Sequence, residues 1–102
     1  MIKLNNITED QLELMHIIQY DPSATQRQIA QKTGYSIGKV NYCLKALIDI
    51  GYIKACNFSK SAEKMNYAYI LTPMGIKKKA LITKQFIIKK KQEYIKLNSY
   101  ID

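Results

Sequence analysis

The apolar positions follow helical spacing from the start of the chain. Leu12, Met15 and Ile18, with Leu14 beside them, form one stripe. Thr8-Glu9-Asp10-Gln11 stands before it as a capping box, in which the threonine accepts from the third amide and Gln11 reaches back. Ile7 and Leu12 take the staple positions, and Glu9 and Asp10 suit the positive end of the helix dipole. Asp21-Pro22 ends this helix, because the residue before proline is pushed out of the helical region. The pattern predicts a helix over 8–20. A second capping box, Thr25-Gln26-Arg27-Gln28, opens a short helix over 25–33 with Ile29 and Ala30 inward, stopped at Thr33-Gly34. Ser36 caps a third helix over 36–50, in which Val40, Leu44 and Leu47 share one buried face and Gly51 follows the last turn.

The period then changes. Tyr52-Ile53-Lys54-Ala55-Cys56-Asn57-Phe58 reads as a strand, and Tyr67-Ala68-Tyr69-Ile70-Leu71, rich in aromatic and branched residues, as a second. The polar stretch 59–66 connects them, so the two predict an antiparallel hairpin near 52–58 and 67–71 with a long tip. Thr72-Pro73 is a cap followed by proline at the first helical position, and a last helix is predicted over 73–98. No internal repeat is present. The fold class is therefore mainly α with a small β-hairpin: a winged helix-turn-helix over residues 1–75, followed by one long C-terminal helix over 76–102.

In a helix-turn-helix the second helix of the pair enters the major groove. With Val40, Leu44 and Leu47 inward, Gly38, Asn41, Tyr42 and Lys45 of the third helix point outward and Lys39 stands at the flank. Gly38 allows close backbone approach, and Ser36 with the free amides of the first turn can hold a phosphate. Lys39 and Lys45 suit phosphates or guanine edges, and Asn41 suits adenine. Thr25, Gln26 and Arg27, at the start of the preceding helix, complete the candidate DNA-binding set, together with Lys60 and Lys64 on the wing tip. The same lysines also suit a plain solvated surface, and Tyr42 can lie over its own domain.

Charge sharpens the choice of partner. The chain has 102 residues, with Lys+Arg 16 against Asp+Glu 8, and a formal net charge of +8. Residues 1–24 hold one lysine against four acids, so their −3 leaves +11 for residues 25–102. A basic body favours a polyanion, since neutralising phosphates releases counterions. No apolar run approaches the roughly 18 residues that span a bilayer, and no secretory signal is visible at the N-terminus, so a cytoplasmic protein is expected. Cys43 and Cys56 fit no metal spacing and are expected to be buried thiols, and His16 lies on a helix face. Without a Ser/His/Asp set, a metal cluster or a phosphate-binding glycine loop, neither enzyme activity nor a cofactor is expected.

Several strings add a resemblance. Thr25-Gln26-Arg27-Gln28-Ile29-Ala30, Ser36-Ile37-Gly38-Lys39-Val40-Asn41-Tyr42, Leu47-Ile48-Asp49-Ile50-Gly51-Tyr52-Ile53 and Leu71-Thr72-Pro73-Met74-Gly75 fall in order within residues 23–75. This stretch resembles the MarR family of bacterial transcriptional regulators. The run from Gly38 to Leu47, Ala55-Cys56-Asn57-Phe58, and the run from Tyr67 to Pro73 resemble its short subgroup associated with exopolysaccharide gene clusters. The resemblance implies a sequence-specific regulator that binds double-stranded DNA, and the subgroup implies polysaccharide biosynthesis genes as its targets. Full-length members add helices at both ends that build a dimer and often a ligand pocket. Here little chain precedes Thr8 and a single helix follows the wing, so no small-molecule effector is expected.

In that last helix Ile76, Ala80, Thr83, Ile87, Lys90, Tyr94, Leu97 and Ile101 recur at alternating steps of four and three. Six of the eight are apolar, which fits a coiled-coil seam. The favoured reading is a homodimer held by Ile87, Tyr94 and Leu97, with Ile76 and Ala80 packing on the chain's own domain. Two others remain: a helix packed only on its own domain, and an amphipathic helix on anionic lipid, which lacks an aromatic cluster beyond Phe86. The competing function is a winged-helix module that contacts another protein without sequence-specific DNA binding. RNA is a third partner class, for which the strands lack the stacking motif.

Overall fold

The computed structural model describes residues 7–57 and 67–101. Its elements are α1 (Glu9–Tyr20), α2 (Gln26–Thr33), α3 (Ile37–Ile50), β1 (Ile53–Asn57), β2 (Tyr67–Leu71) and α4 (Pro73–Asn98). It is mainly helical with one antiparallel hairpin: a winged helix-turn-helix followed by a long C-terminal helix. Both capping boxes form. Thr8 Oγ1 accepts from the Gln11 amide and Gln11 Oε1 accepts from the Thr8 amide, each at 3.1 Å. Thr25 and Gln28 repeat the exchange at 2.9 and 3.1 Å. Between α2 and α3 the chain reverses through Gly34 at φ 81°, a left-handed conformation that costs a side-chain-bearing residue roughly 1 kcal/mol or more.

Leu14, Met15 and Ile18 of α1, Ile29 of α2, and Val40, Leu44 and Leu47 of α3 are fully buried and form the core with Ile53. Ile7 is buried and Leu12 packs against the same cluster. Cys43 is buried, and burial pushes its thiol pKa up. Cys56 is only half-buried: it stands opposite Ala68, three residues further along β1 than Ile53, where the strand has left the helical core. His16 lies exposed on α1 against the Tyr20 ring, with centroids 4.9 Å apart. β1 and β2 pair in the register Ile53↔Leu71 through Asn57↔Tyr67. Tyr52, expected in the first strand, lies just before it, and its amide donates to the Leu47 carbonyl at 3.0 Å. Phe58 and the connector lie outside the described residues.

The start of α4 is clamped to the junction of α3 and β1. Thr72 caps the helix by accepting from the Gly75 amide at 3.0 Å, and its hydroxyl donates to the Gly51 carbonyl at 2.6 Å. The Thr72 amide donates to the Tyr52 carbonyl at 3.0 Å. That carbonyl lies directly against Gly75, where an added Cβ would sit 2.1 Å from its oxygen. One expectation is corrected here: Ile76 and Ala80 do not pack on the domain, Ile76 being 47% exposed. The inward positions are Gly75, Ile82 and Phe86. Gly75 sets which side of α4 meets the hairpin, and the helical repeat then carries Ile82 and Phe86 toward α1. Of the predicted seam, Thr83 alone is half-buried. Ile87, Tyr94 and Leu97 are exposed.

Candidate nucleic-acid interface

Opposite its buried face, α3 exposes Ile37, Gly38, Lys39, Tyr42, Lys45 and Asp49, with Asn41 half-buried. Gly38, Tyr42 and Lys45 thus form one outward stripe, and Tyr42 is 72% exposed rather than laid over its own domain. Ser36 caps the helix, its Oγ accepting from the Lys39 amide at 3.0 Å. The earlier first-turn amides, those of Ile37 and Gly38, have no partner within the helix. An added Cβ at Gly38 meets only Ser36 Oγ at 3.9 Å, so nothing in the fold itself excludes a side chain there.

Lys39 is engaged elsewhere. Its Nζ lies 2.6 Å from Asp10 Oδ2 and 4.1 Å from the centroid of the Tyr35 ring. The Tyr35 hydroxyl lies 2.8 Å from Asp10 Oδ1 and 2.6 Å from Glu13 Oε1, and its one hydrogen serves one carboxylate at a time. The hydrogen bonds from Lys39 and then Tyr35 hold the Asp10 carboxyl below its ordinary range. The bonds to Glu13 and then Asp10 push the Tyr35 phenol upward. Sequence spacing carries no sign of this cluster, because its members come from α1, the helix-turn-helix turn and α3.

At the start of α2, Thr25 is occupied as cap and Arg27 is exposed. Gln26 reaches between α3 and the hairpin: its Nε2 donates to Tyr69 Oη at 3.0 Å, and its Oε1 accepts from Asn41 Nδ2 at 3.4 Å. These three residues line a groove of about 200 Å³ with Leu44, Lys45, Ile48 and Ala55. Tyr69 joins the site only through the fold, which brings β2 against the start of α2. The strand is apolar throughout and buries both Ala68 and Tyr69, so nothing in the sequence singles out Tyr69 or marks Gln26 as its partner. Lys60 and Lys64 lie outside the described residues. The structure therefore brings Gln26, Asn41, Tyr42, Lys45 and Gly38 to one side of α3, while Lys39 turns toward α1.

The positive charge is concentrated away from α3. Helix α4 holds eight lysines and one glutamate, half of the chain's 16 basic residues, so the rest of the sequence is close to neutral. Lys90 Nζ lies 3.1 Å from Glu9 Oε1, a bond that raises the Lys90 pKa. Between α1 and α4 runs a largely apolar groove of about 410 Å³, lined by Glu9, Leu12, Thr83, Phe86, Ile87, Lys90, Lys91 and Tyr94. A second exposed apolar row runs along α4 at steps of seven: Met74, Leu81, Ile88 and Ile95. Among the described residues no three His, Cys, Asp or Glu side chains converge as metal ligands, and no helix is long and apolar enough to cross a membrane.

Fold and surface together define a winged helix-turn-helix. Residues 11–54 match the family described as winged helix-turn-helix DNA-binding. The same fold is found in solved structures of MarR-family regulators. Streptococcus pneumoniae FabT in complex with DNA is 20% identical over 93% of this chain and 64% of its own, with a TM-score of 0.68. MarR is 21% identical over 97% of this chain and 63% of its own, also with a TM-score of 0.68. The S. aureus MepR–DNA complex is 24% identical over 90% of this chain and 73% of its own, with a TM-score of 0.64. The chain thus spans less than two thirds of the length of FabT and MarR. No curated protein matches it.

Proposed function

We propose that this chain is a transcription regulator that binds double-stranded DNA sequence-specifically, with α3 in the major groove and the hairpin as a wing. The observation that carries this reading is the outward stripe of α3. An exposed glycine, an aromatic, an amide and a lysine follow a capped helix start, on the element that a helix-turn-helix presents to DNA. The DNA in the FabT and MepR structures supports it by analogy of fold. In this proposal residues 1–75 bind DNA and residues 76–102 join two copies in the cytoplasm, with no cofactor and no effector assigned. The resemblance to the exopolysaccharide-associated subgroup points to polysaccharide biosynthesis genes as targets.

Selection of bound fragments from the host's genomic DNA tests the reading. The expected result is a recurrent site with two-fold symmetry and an affinity that falls steeply with salt. Retention of no DNA at low salt would instead favour a protein-interaction module. Within a recovered site, Lys45→Ala should weaken binding and lower the salt slope by about one unit, as for one lost phosphate contact. Lys39 must leave Asp10 to reach a phosphate, so Lys39→Ala should have the smaller effect. Asp10→Asn, which frees that lysine, should strengthen binding. Equal binding by all three variants and the parent in a DNA titration contradicts the placement of these contacts.

A further inference from the structure

Asn41 is not free to turn as an exposed asparagine on a helix would be. Its Nδ2 donates to Gln26 Oε1 at 3.4 Å, and Gln26 is in turn held by Tyr69 Oη at 3.0 Å. Tyr69 lies in β2, paired with Ala55 of β1, and its side chain is only 6% exposed. The relay therefore ends on a ring that packing fixes, and it joins α3, α2 and the wing through side chains 15 and 43 positions apart in sequence.

The relay also decides what Asn41 has left to offer. A side-chain amide has one oxygen acceptor and two N–H donors. With one N–H given to Gln26, Asn41 keeps its Oδ1 and one N–H, and the link fixes which end of the amide carries each. Adenine presents an N6 amino donor and an N7 acceptor in the major groove, the complement of that pair. Guanine presents two acceptors there, and its O6 would face the Asn41 oxygen.

We propose that Tyr69 is a positioning residue for base recognition: acting through Gln26, it orients Asn41 to select adenine at one position of the bound site. This rests on the reading of α3 as a DNA-reading helix. It also makes the wing strand a determinant of sequence preference through a residue that need not touch DNA.

The test uses the full chain as parent, Tyr69→Phe, Asn41→Ala and the double variant, each checked for an unchanged helical spectrum. Affinity is measured for a selected genomic site, for that site with each base pair changed singly, and for a random duplex at the same salt. Asn41→Ala should lose preference at one adenine by about 10–100-fold, the range of a bidentate pair. Tyr69→Phe, which keeps the buried ring and removes only the hydroxyl, should lower that same preference by about 3–10-fold, the range of one hydrogen bond. Its affinity for random duplex should not change. The double variant should lose no more than Asn41→Ala alone, because the two act in one chain of contacts. An intact adenine preference in Tyr69→Phe overturns the relay and leaves DNA reading by α3 standing. A loss spread evenly over all positions also overturns it, since that marks a distorted wing. A parent that selects no site overturns the reading beneath it.

Discussion

Gly75→Ala is expected to lower stability by about 3 kcal/mol, toward the upper end for overpacking a tight contact. A helix ordinarily gains up to about 1 kcal/mol when alanine replaces glycine, so the sign depends on which effect is larger. The new Cβ would sit 2.1 Å from the Tyr52 carbonyl oxygen, 2.9 Å from its carbon and 3.1 Å from its Cα. All three are backbone atoms and cannot swing aside. The oxygen also accepts the Thr72 amide, so moving it loosens the cap of α4 as well. A loss of this size is a large share of the about 5–15 kcal/mol that holds a small domain together. It should lower the melting temperature by about 10–20 °C. Gly38→Ala provides the contrast. There the added Cβ meets only Ser36 Oγ at 3.9 Å, so propensity alone acts and the protein should gain up to about 1 kcal/mol. The same substitution should weaken DNA binding, because the fold gives no reason for glycine there and close approach of a ligand does. Thermal melts and DNA titrations of both variants check the pair. A Gly75→Ala protein as stable as the parent would mean that α4 is not seated on Tyr52.

The features legible in the sequence are those set by neighbours along the chain. Capping boxes place their partners three residues apart, and Gly34 marks the turn by its own conformation, so all four helices fall within a residue or two of expectation. The outward face of α3 follows from the inward spacing of Val40, Leu44 and Leu47. What the pattern misread depends on contacts distant in sequence. The heptad count put Ile76 and Ala80 inward, yet the close fit of Gly75 against Tyr52 turns α4 so that Ile82 and Phe86 face the core. Lys39 read as a free flank lysine because Asp10 lies a whole helix away in sequence. The charge of residues 25–102 likewise read as a basic body. Spatially its excess is carried by α4, and α3 contributes Lys39 and Lys45 against Asp49.

That charge bears on assembly, where the largest change in DNA affinity is expected. One winged helix reads few base pairs, and two copies related by a two-fold axis double the contacts. Ile87, Tyr94 and Leu97 are exposed on the half of α4 beyond the core, and Ile87 and Tyr94 line the apolar groove against α1. Burying them from both copies is worth about 1.5–3 kcal/mol per side chain. Six side chains then supply about 9–18 kcal/mol, against association costs of about 4–15 kcal/mol. The balance predicts a homodimer of modest strength, sensitive to the repulsion between two helices that each carry eight lysines and one glutamate. Screening relieves that repulsion, so dimerisation should tighten as salt rises while DNA binding loosens. Deleting residues 84–102 would strip Phe86 from the core, so substitution is the cleaner test. Replacing Ile87, Tyr94 and Leu97 together by serine should give a folded monomer whose affinity for a two-fold site falls at least 100-fold. The matching change at Leu81, Ile88 and Ile95 should leave the dimer intact. Sedimentation equilibrium across a salt series, with a DNA titration, reads both effects. A parent that stays monomeric at high micromolar concentration at every salt would refute the dimer. Loss of the dimer only in the second variant would move the seam to the other row of α4.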